Sequence, residues 1–223
     1  MTRFTLPYFA AAVLACFAAV TNANAASVTL DTLLNGGSIT SGDKTLTDFT
    51  YTNIGDIPDA SSVVVTPISD ASGNYGFRFN GPFVDLGGDG VSSDGFLEFT
   101  VNVTDPNMEI IGVQLIGNPS VIGGEGVAQI TETFLPAVTD VQLDIFDINP
   151  GGGFLGVDSV EFSQGYTSLV VQKDILLSAG DGAAATLSFF DQIFVQQPVP
   201  EPASAGIFAF GLLGLLAKRR RRS

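Results

Sequence analysis

Three carboxylates and four glycines fall within eleven residues at Asp85-Leu86-Gly87-Gly88-Asp89-Gly90-Val91-Ser92-Ser93-Asp94-Gly95. Calcium takes about six to eight oxygen ligands at roughly 2.3–2.6 Å, and a glycine-rich loop can add backbone carbonyls to its side-chain donors. Asp85, Asp89 and Asp94 are therefore the expected calcium ligands. The spacing is not that of an EF-hand, because Gly87 stands where a third-position Asp or Asn belongs and Phe96 where the bidentate Glu belongs. A plain solvated hairpin loop between two strands would have the same composition. Paired carboxylates can also act as acid and base on a glycoside. Asp144, Asp147 and Glu161 are the residues available for that work, although a chain so rich in acids assembles such trios by chance.

Other catalytic chemistry has little to stand on. The 223 residues contain no histidine, which excludes a Ser-His-Asp triad, a Cys-His dyad and a histidine general base. The one cysteine, Cys16, lies in an apolar N-terminal run. Gly151 to Gly153 lacks the Lys-Ser/Thr pair of a phosphate loop. The expectation is a protein that is not an enzyme and that has no cofactor, calcium excepted. Tryptophan, a favoured stacking platform for sugars, is also missing, so a carbohydrate-binding role rests on tyrosine and phenylalanine.

The elements that carry these residues read as β-strands. In Phe96-Leu97-Glu98-Phe99-Thr100-Val101-Asn102-Val103 the apolar residues Leu97, Phe99, Val101 and Val103 share one face, and Glu98, Thr100 and Asn102 share the other. Similar runs cover 27–34, 46–52, 61–66, 75–79, 110–116, 127–134, 138–148, 157–162, 168–177 and 186–195. Turn signals such as Asn35-Gly36-Gly37, Asn80-Gly81-Pro82 and Gly180-Asp181-Gly182 separate them. About eleven short strands predict an all-β, antiparallel β-sandwich of jelly-roll type with little helix; an immunoglobulin-like sandwich would share the pattern. No repeat and no low-complexity segment divides residues 26–198, and Gln196-Gln197-Pro198-Val199-Pro200 reads as the linker that ends this single domain.

Charge narrows the partners. Between residues 26 and 198 the basic residues are Lys44, Arg78 and Lys173, against twenty-two acidic ones (the 23 of the chain less Glu201), a net charge of −19. Such a field disfavours nucleic acid and anionic lipid and favours divalent cations or cationic partners. It would equally keep an exported protein soluble.

Both ends read as addresses. Arg3 and the apolar run 6–20 precede Thr21-Asn22-Ala23-Asn24-Ala25-Ala26, and Ala23 with Ala25 forms the small-x-small site of signal peptidase, which makes 1–25 a signal peptide. Val13-Leu14-Ala15-Cys16 loosely resembles a lipobox, but apolar sequence continues past Cys16. At the other end stand Val199-Pro200-Glu201-Pro202, a fifteen-residue uncharged run 203–217, and Lys218-Arg219-Arg220-Arg221-Arg222. As a helix that run would span about 22 Å, with the basic cluster anchoring it on the cytoplasmic side of a membrane.

Residues 199–223 resemble the PEP-CTERM sorting signal of Gram-negative bacteria in all three of its parts: the Pro200-Glu201-Pro202 triplet behind Val199, the short transmembrane helix 203–217 and the basic tail 218–222. The resemblance implies recognition by exosortase, a membrane-embedded cysteine transpeptidase that removes the tail. It also implies a link to exopolysaccharide and biofilm material, and it says nothing of the fold of residues 26–198. The resulting expectation is an exported, non-enzymatic protein of the cell surface or extracellular matrix, held transiently in the membrane. A calcium-dependent adhesin or carbohydrate-binding module is the alternative, and a secreted glycan hydrolase stands behind it.

Overall fold

The computed structural model describes residues 26–135 and 141–200. The expected signal peptide with Ala23 and Ala25, Cys16, the start of the run at 138, and Glu201, Pro202, the expected helix 203–217 and the basic tail lie outside the described residues.

Alternating runs become strands because one face of each can be buried against a second sheet. In chain order they are β1 (Val28–Thr29), β2 (Ile39–Ser41), β3 (Lys44–Ile54), β4 (Val64–Ser69), β5 (Tyr75–Leu86), β6 (Ser93–Val103) and β7 (Met108–Gly117). There follow β8 (Ser120–Ile122), β9 (Gly126–Leu135), β10 (Gln142–Asn149), β11 (Gly153–Leu155), β12 (Val157–Tyr166), β13 (Ser168–Ala179) and β14 (Ala184–Pro198). They form two antiparallel seven-stranded sheets with little helix (5%). The first sheet runs β1-β4-β5-β14-β7-β12, with β8 also on β14; the second runs β11-β10-β9-β13-β6-β3-β2. From β5 to β7, and again from β12 to β14, the chain changes sheet at every strand, so β14 closes the first sheet by inserting between β5 and β7.

Phenylalanines fill the space between the sheets. Phe79 and Phe190 of the first sheet stack with ring centroids 4.8 Å apart, and Phe79 reaches Phe99 of the second at 5.8 Å. These rings are fully buried, as are Phe77, Phe194, Leu46, Val101 and Ile130.

Two expectations need correction. The run 27–34 is a strand only over β1, then turns into a short helix, α1 (Leu30–Leu34). Thr29 caps it, its Oγ1 accepting from the Thr32 N–H at 3.4 Å, and the i, i+3 pair Leu30 and Leu33 is buried. The linker expected at 196–200 is largely strand: Gln196, Gln197 and Pro198 pair with Ile110, Glu109 and Met108 of β7.

Candidate functional site: the sorting strand and the acidic loop

The fifteen residues of β14 end at Pro198, two positions before the Pro200-Glu201-Pro202 triplet, and the domain's cations are all spent on this strand. Arg78 of β5 lies opposite Asp191 and makes a two-pronged ion pair, Nε to Oδ1 and Nη2 to Oδ2, both at 2.7 Å. Its guanidinium also sits 4.3 Å from the Phe189 ring centroid, and the pairing with Asp191 holds the guanidinium pKa above its ordinary value. Lys173 of β13 faces Glu132 of β9 inside the core, and both are fully buried. The Lys173 Nζ donates to the Glu132 carboxylate and, across the core, to Gln192 Oε1 at 2.6 Å. Burial pushes the lysine down and the glutamate up, each opposed by the charge of the other. Lys44, also fully buried, donates to Asp43 Oδ1 at 2.6 Å and Gln196 Oε1 at 2.5 Å. Burial drives its pKa down against the pull of Asp43.

No sequence periodicity pairs these residues, yet one signal was present. Lys173 and Glu132 stand at the inward parity of their strands, Lys173 between Val171 and Ile175, and Glu132 between Ile130 and Phe134.

The end of β14 is tied on both sides. Gln197 Nε2 donates to Glu109 Oε1 at 2.8 Å, the Gln196 N–H donates to Asn74 Oδ1 at 3.3 Å, and the Val199 N–H donates to Asn107 O at 2.8 Å. Val199 and Pro200 are exposed immediately beyond.

The acidic loop behaves differently from its sequence. It joins β5 of one sheet to β6 of the other, so it is a cross-sheet connection and not a hairpin. Asp85 has the inward parity of Phe83 and is 2% exposed. Its Oδ1 accepts from Ser93 Oγ at 2.6 Å and its Oδ2 from the Ala179 N–H at 2.7 Å, which closes this end of the sandwich. Asp89 is exposed and accepts from the Val91 N–H at 2.9 Å, a local turn. Asp94 is exposed on the outer face of β6 beside Asp174 of β13. Desolvation, and then the Asp94 charge and hydrogen bond, hold the Asp174 carboxyl above its usual range. The three expected ligands thus point inward, into the loop and outward, and among the described residues no three acidic side chains are grouped to hold a metal ion. Gly87 answers to packing: a Cβ there would lie 1.8 Å from Gly180 O.

The carboxylates considered for glycoside chemistry are also scattered. Asp144 lies on the outside of the second sheet, accepting from Thr131 Oγ1 at 2.7 Å and Gln142 Nε2 at 2.8 Å. Asp147 accepts from the Val121 N–H at 2.7 Å, and Glu161 is exposed on β12 of the first sheet.

A β-sandwich whose last strand runs straight into a terminal sorting signal is the class this arrangement defines. Residues 198–222 match the PEP-CTERM protein-sorting motif, the signal by which exosortase recognises exported chains. No curated protein matches the sequence. Among solved structures, one of TmCBM61 in complex with beta-1,4-galactotriose aligns at 14% identity over 65% of this chain and 88% of that one, with a TM-score of 0.29. The enzymatically active domain of tailspike protein 4 of bacteriophage CBA120 aligns at 13% identity over 68% of this chain and 19% of that one, with a TM-score of 0.28. Among the described residues no helix is long and apolar enough to cross a membrane.

Proposed function

We propose that this chain is a non-enzymatic protein of the cell surface or extracellular matrix whose C-terminal signal is cut by exosortase and whose 26–198 domain is a jelly roll. The observation that carries the sorting part is the matched motif at 198–222, continuous with a fully paired strand. The order β5-β14-β7-β12 against β6-β13-β9-β10 supports the jelly roll, since it places the first and last of eight strands side by side in one sheet. The scatter of Asp144, Asp147 and Glu161, in a chain without histidine, supports a role without catalysis. Intact mass of the protein from the envelope and medium of its host tests the proposal. A product that begins at Ala26 and lacks the tail is expected; a chain that keeps its tail, or one lipidated at Cys16, refutes it.

A second reading, binding of exopolysaccharide, has one specific support. Strand registers align Thr52, Phe96, Asp174, Thr131 and Asp144 in a row across the outer face of the second sheet. Phe96 is 36% exposed there, an apolar ring flanked by hydroxyls and carboxylates that suits the mixed face of a sugar. Calorimetry with the host's own polysaccharide, with and without calcium, tests it; a flat titration with both would remove this reading.

A further inference from the structure

The sorting motif and the folded domain share a residue. Pro198 is both the last residue of β14, opposite Met108, and the first of the matched motif. Three residue steps lead from Pro198 to Glu201, so even fully extended chain puts Glu201 within about 11 Å of the paired strand. An enzyme that grips the Pro-Glu-Pro triplet therefore works within that distance of the end of the sandwich.

That end has a defined make-up. The β4–β5 turn, with Asp70 accepting from the Ser72 and Asn74 N–H groups at 2.8 Å, stands on one side of β14. The β6–β7 turn, with Asp105 accepting from the Asn107 N–H at 2.9 Å, stands on the other. Glu109 lies beside the strand's end through Gln197, and Asp43 is joined to the β6–β7 segment by the Thr104 N–H at 2.8 Å. The nearest cation among the described residues, Lys44, is fully buried and committed to Asp43 and Gln196. The surface around the emerging motif is therefore a ring of half-buried acids, Asp70, Asp105 and Glu109, on or beside ordered turns, whereas Asp43 is paired with Lys44 and its Oδ2 is buried.

We propose that this end face, Asp70, Asp105 and Glu109 above all, is a docking surface for the extracytoplasmic face of exosortase, which must present cationic or hydrogen-bond-donating groups there. The inference rests on the exosortase reading and extends it from a linear triplet to a folded recognition element. An anionic lipid surface would be repelled by the same ring, so contact with the bilayer itself is the competing arrangement.

The test uses the full chain, with host membranes supplying the processing enzyme and tail removal followed by intact mass. One variant inserts a Gly-Ser spacer of about eight residues between Pro198 and Val199, with an r.m.s. span of roughly 16 Å, leaving the domain and the triplet unaltered. A second combines Asp105→Asn and Glu109→Gln, which keep their hydrogen-bond acceptors. Docking through the end face predicts that both slow tail removal about tenfold, and that salt slows the parent but not the neutralised chain. Tail removal at the parent's rate, or faster, in the spacer variant would overturn the proposal, as would equal salt dependence of parent and neutralised chains. Glu201→Ala separates the two levels. If the parent is not cut at all, the sorting reading fails and the docking surface with it; if the parent is cut and Glu201→Ala is not, a null result in the other variants falls on the docking surface alone.

Discussion

Replacing Lys173 with methionine should cost about 3–5 kcal/mol of folding free energy, the range for leaving one partner of a buried ion pair alone. Methionine fills most of the space of the lysine stem, so little of this is cavity. Its origin is Glu132: Oε2 loses its Lys173 donor, while Oε1 already lacks a hydrogen-bond partner in a site without solvent exposure. Against a total stability of about 5–15 kcal/mol the loss is large, and with a urea slope of about 2 kcal/mol/M the midpoint should fall by roughly 2 M. The triple variant Lys173→Met, Glu132→Leu, Gln192→Leu removes every polar atom of the cluster and should return to within about 1 kcal/mol of the parent or exceed it. Acidity gives a further check. Without the lysine, the folded-state Glu132 pKa, already raised by burial, rises further above its unfolded value, so the folded chain holds the extra proton. The Lys173→Met deficit should then shrink as pH falls from neutrality toward the ordinary glutamate range. Far-UV circular dichroism with urea reads all of this. A single variant that costs less than about 1 kcal/mol, or a triple that costs as much as the single, would refute the account.

Asp85→Ala removes two buried hydrogen bonds from a carboxylate and should cost about 3 kcal/mol in thermal unfolding, in chelator as well as in calcium, whereas Asp89→Ala should stay within about 0.5 kcal/mol; the reverse order would make the loop a ligand site and not a closure. Asp174 is held above its ordinary pKa, so the fold loses stability as pH rises from the ordinary aspartate range through the raised value; Asp94→Asn should flatten that loss, as read from melting temperature against pH. Gly76 faces Ile193 where an added Cβ would meet Gln192 O at 2.2 Å, so Gly76→Ala should push β5 off β14 and cost about 1–3 kcal/mol by urea unfolding.

The strands were legible because alternation is enforced by a single buried face, and the run 96–103 falls within β6 with its parity intact. Strand order was not, since β14 reaches β5 and β7 through contacts between residues far apart in sequence, which periodicity does not encode. Short helix and strand patterns are hard to separate in few residues, and α1 shows why: Leu30 and Leu33 satisfy helical spacing while Val28, Leu30 and Leu34 satisfy alternation. At the candidate sites the conflict lay between charge and parity. Asp85, Glu132 and Lys173 are charged residues at inward positions, and the habit of reading charge as exposure sent Asp85 to a calcium loop, although parity with Phe83 placed it inside. The Gln196-Gln197-Pro198 stretch looked like a linker from its composition, yet Gln196 and Gln197 find side-chain partners in Lys44 and Glu109 that only the folded neighbours supply.

Three cations in a domain of net charge −19 could have been spread over the surface to offset repulsion; instead Arg78, Lys173 and Lys44 reach Asp191, Gln192 and Gln196 of one strand. The consequence for the surface is an almost uncompensated anionic exterior, Arg78 being the partial exception at 41% side-chain exposure. The consequence for the strand is mechanical. A chain held by its C-terminus takes load along β14, which is hydrogen-bonded antiparallel to β5 on one side and β7 on the other, so the load shears both ladders together and cannot unzip one bond at a time. The three side-chain ties run from the middle of β14 toward the tail, and two of them, from Lys173 of β13 and Lys44 of β3, reach it from the second sheet. The strand tied to both sheets is thus the one whose last residue is also the first of the matched sorting motif.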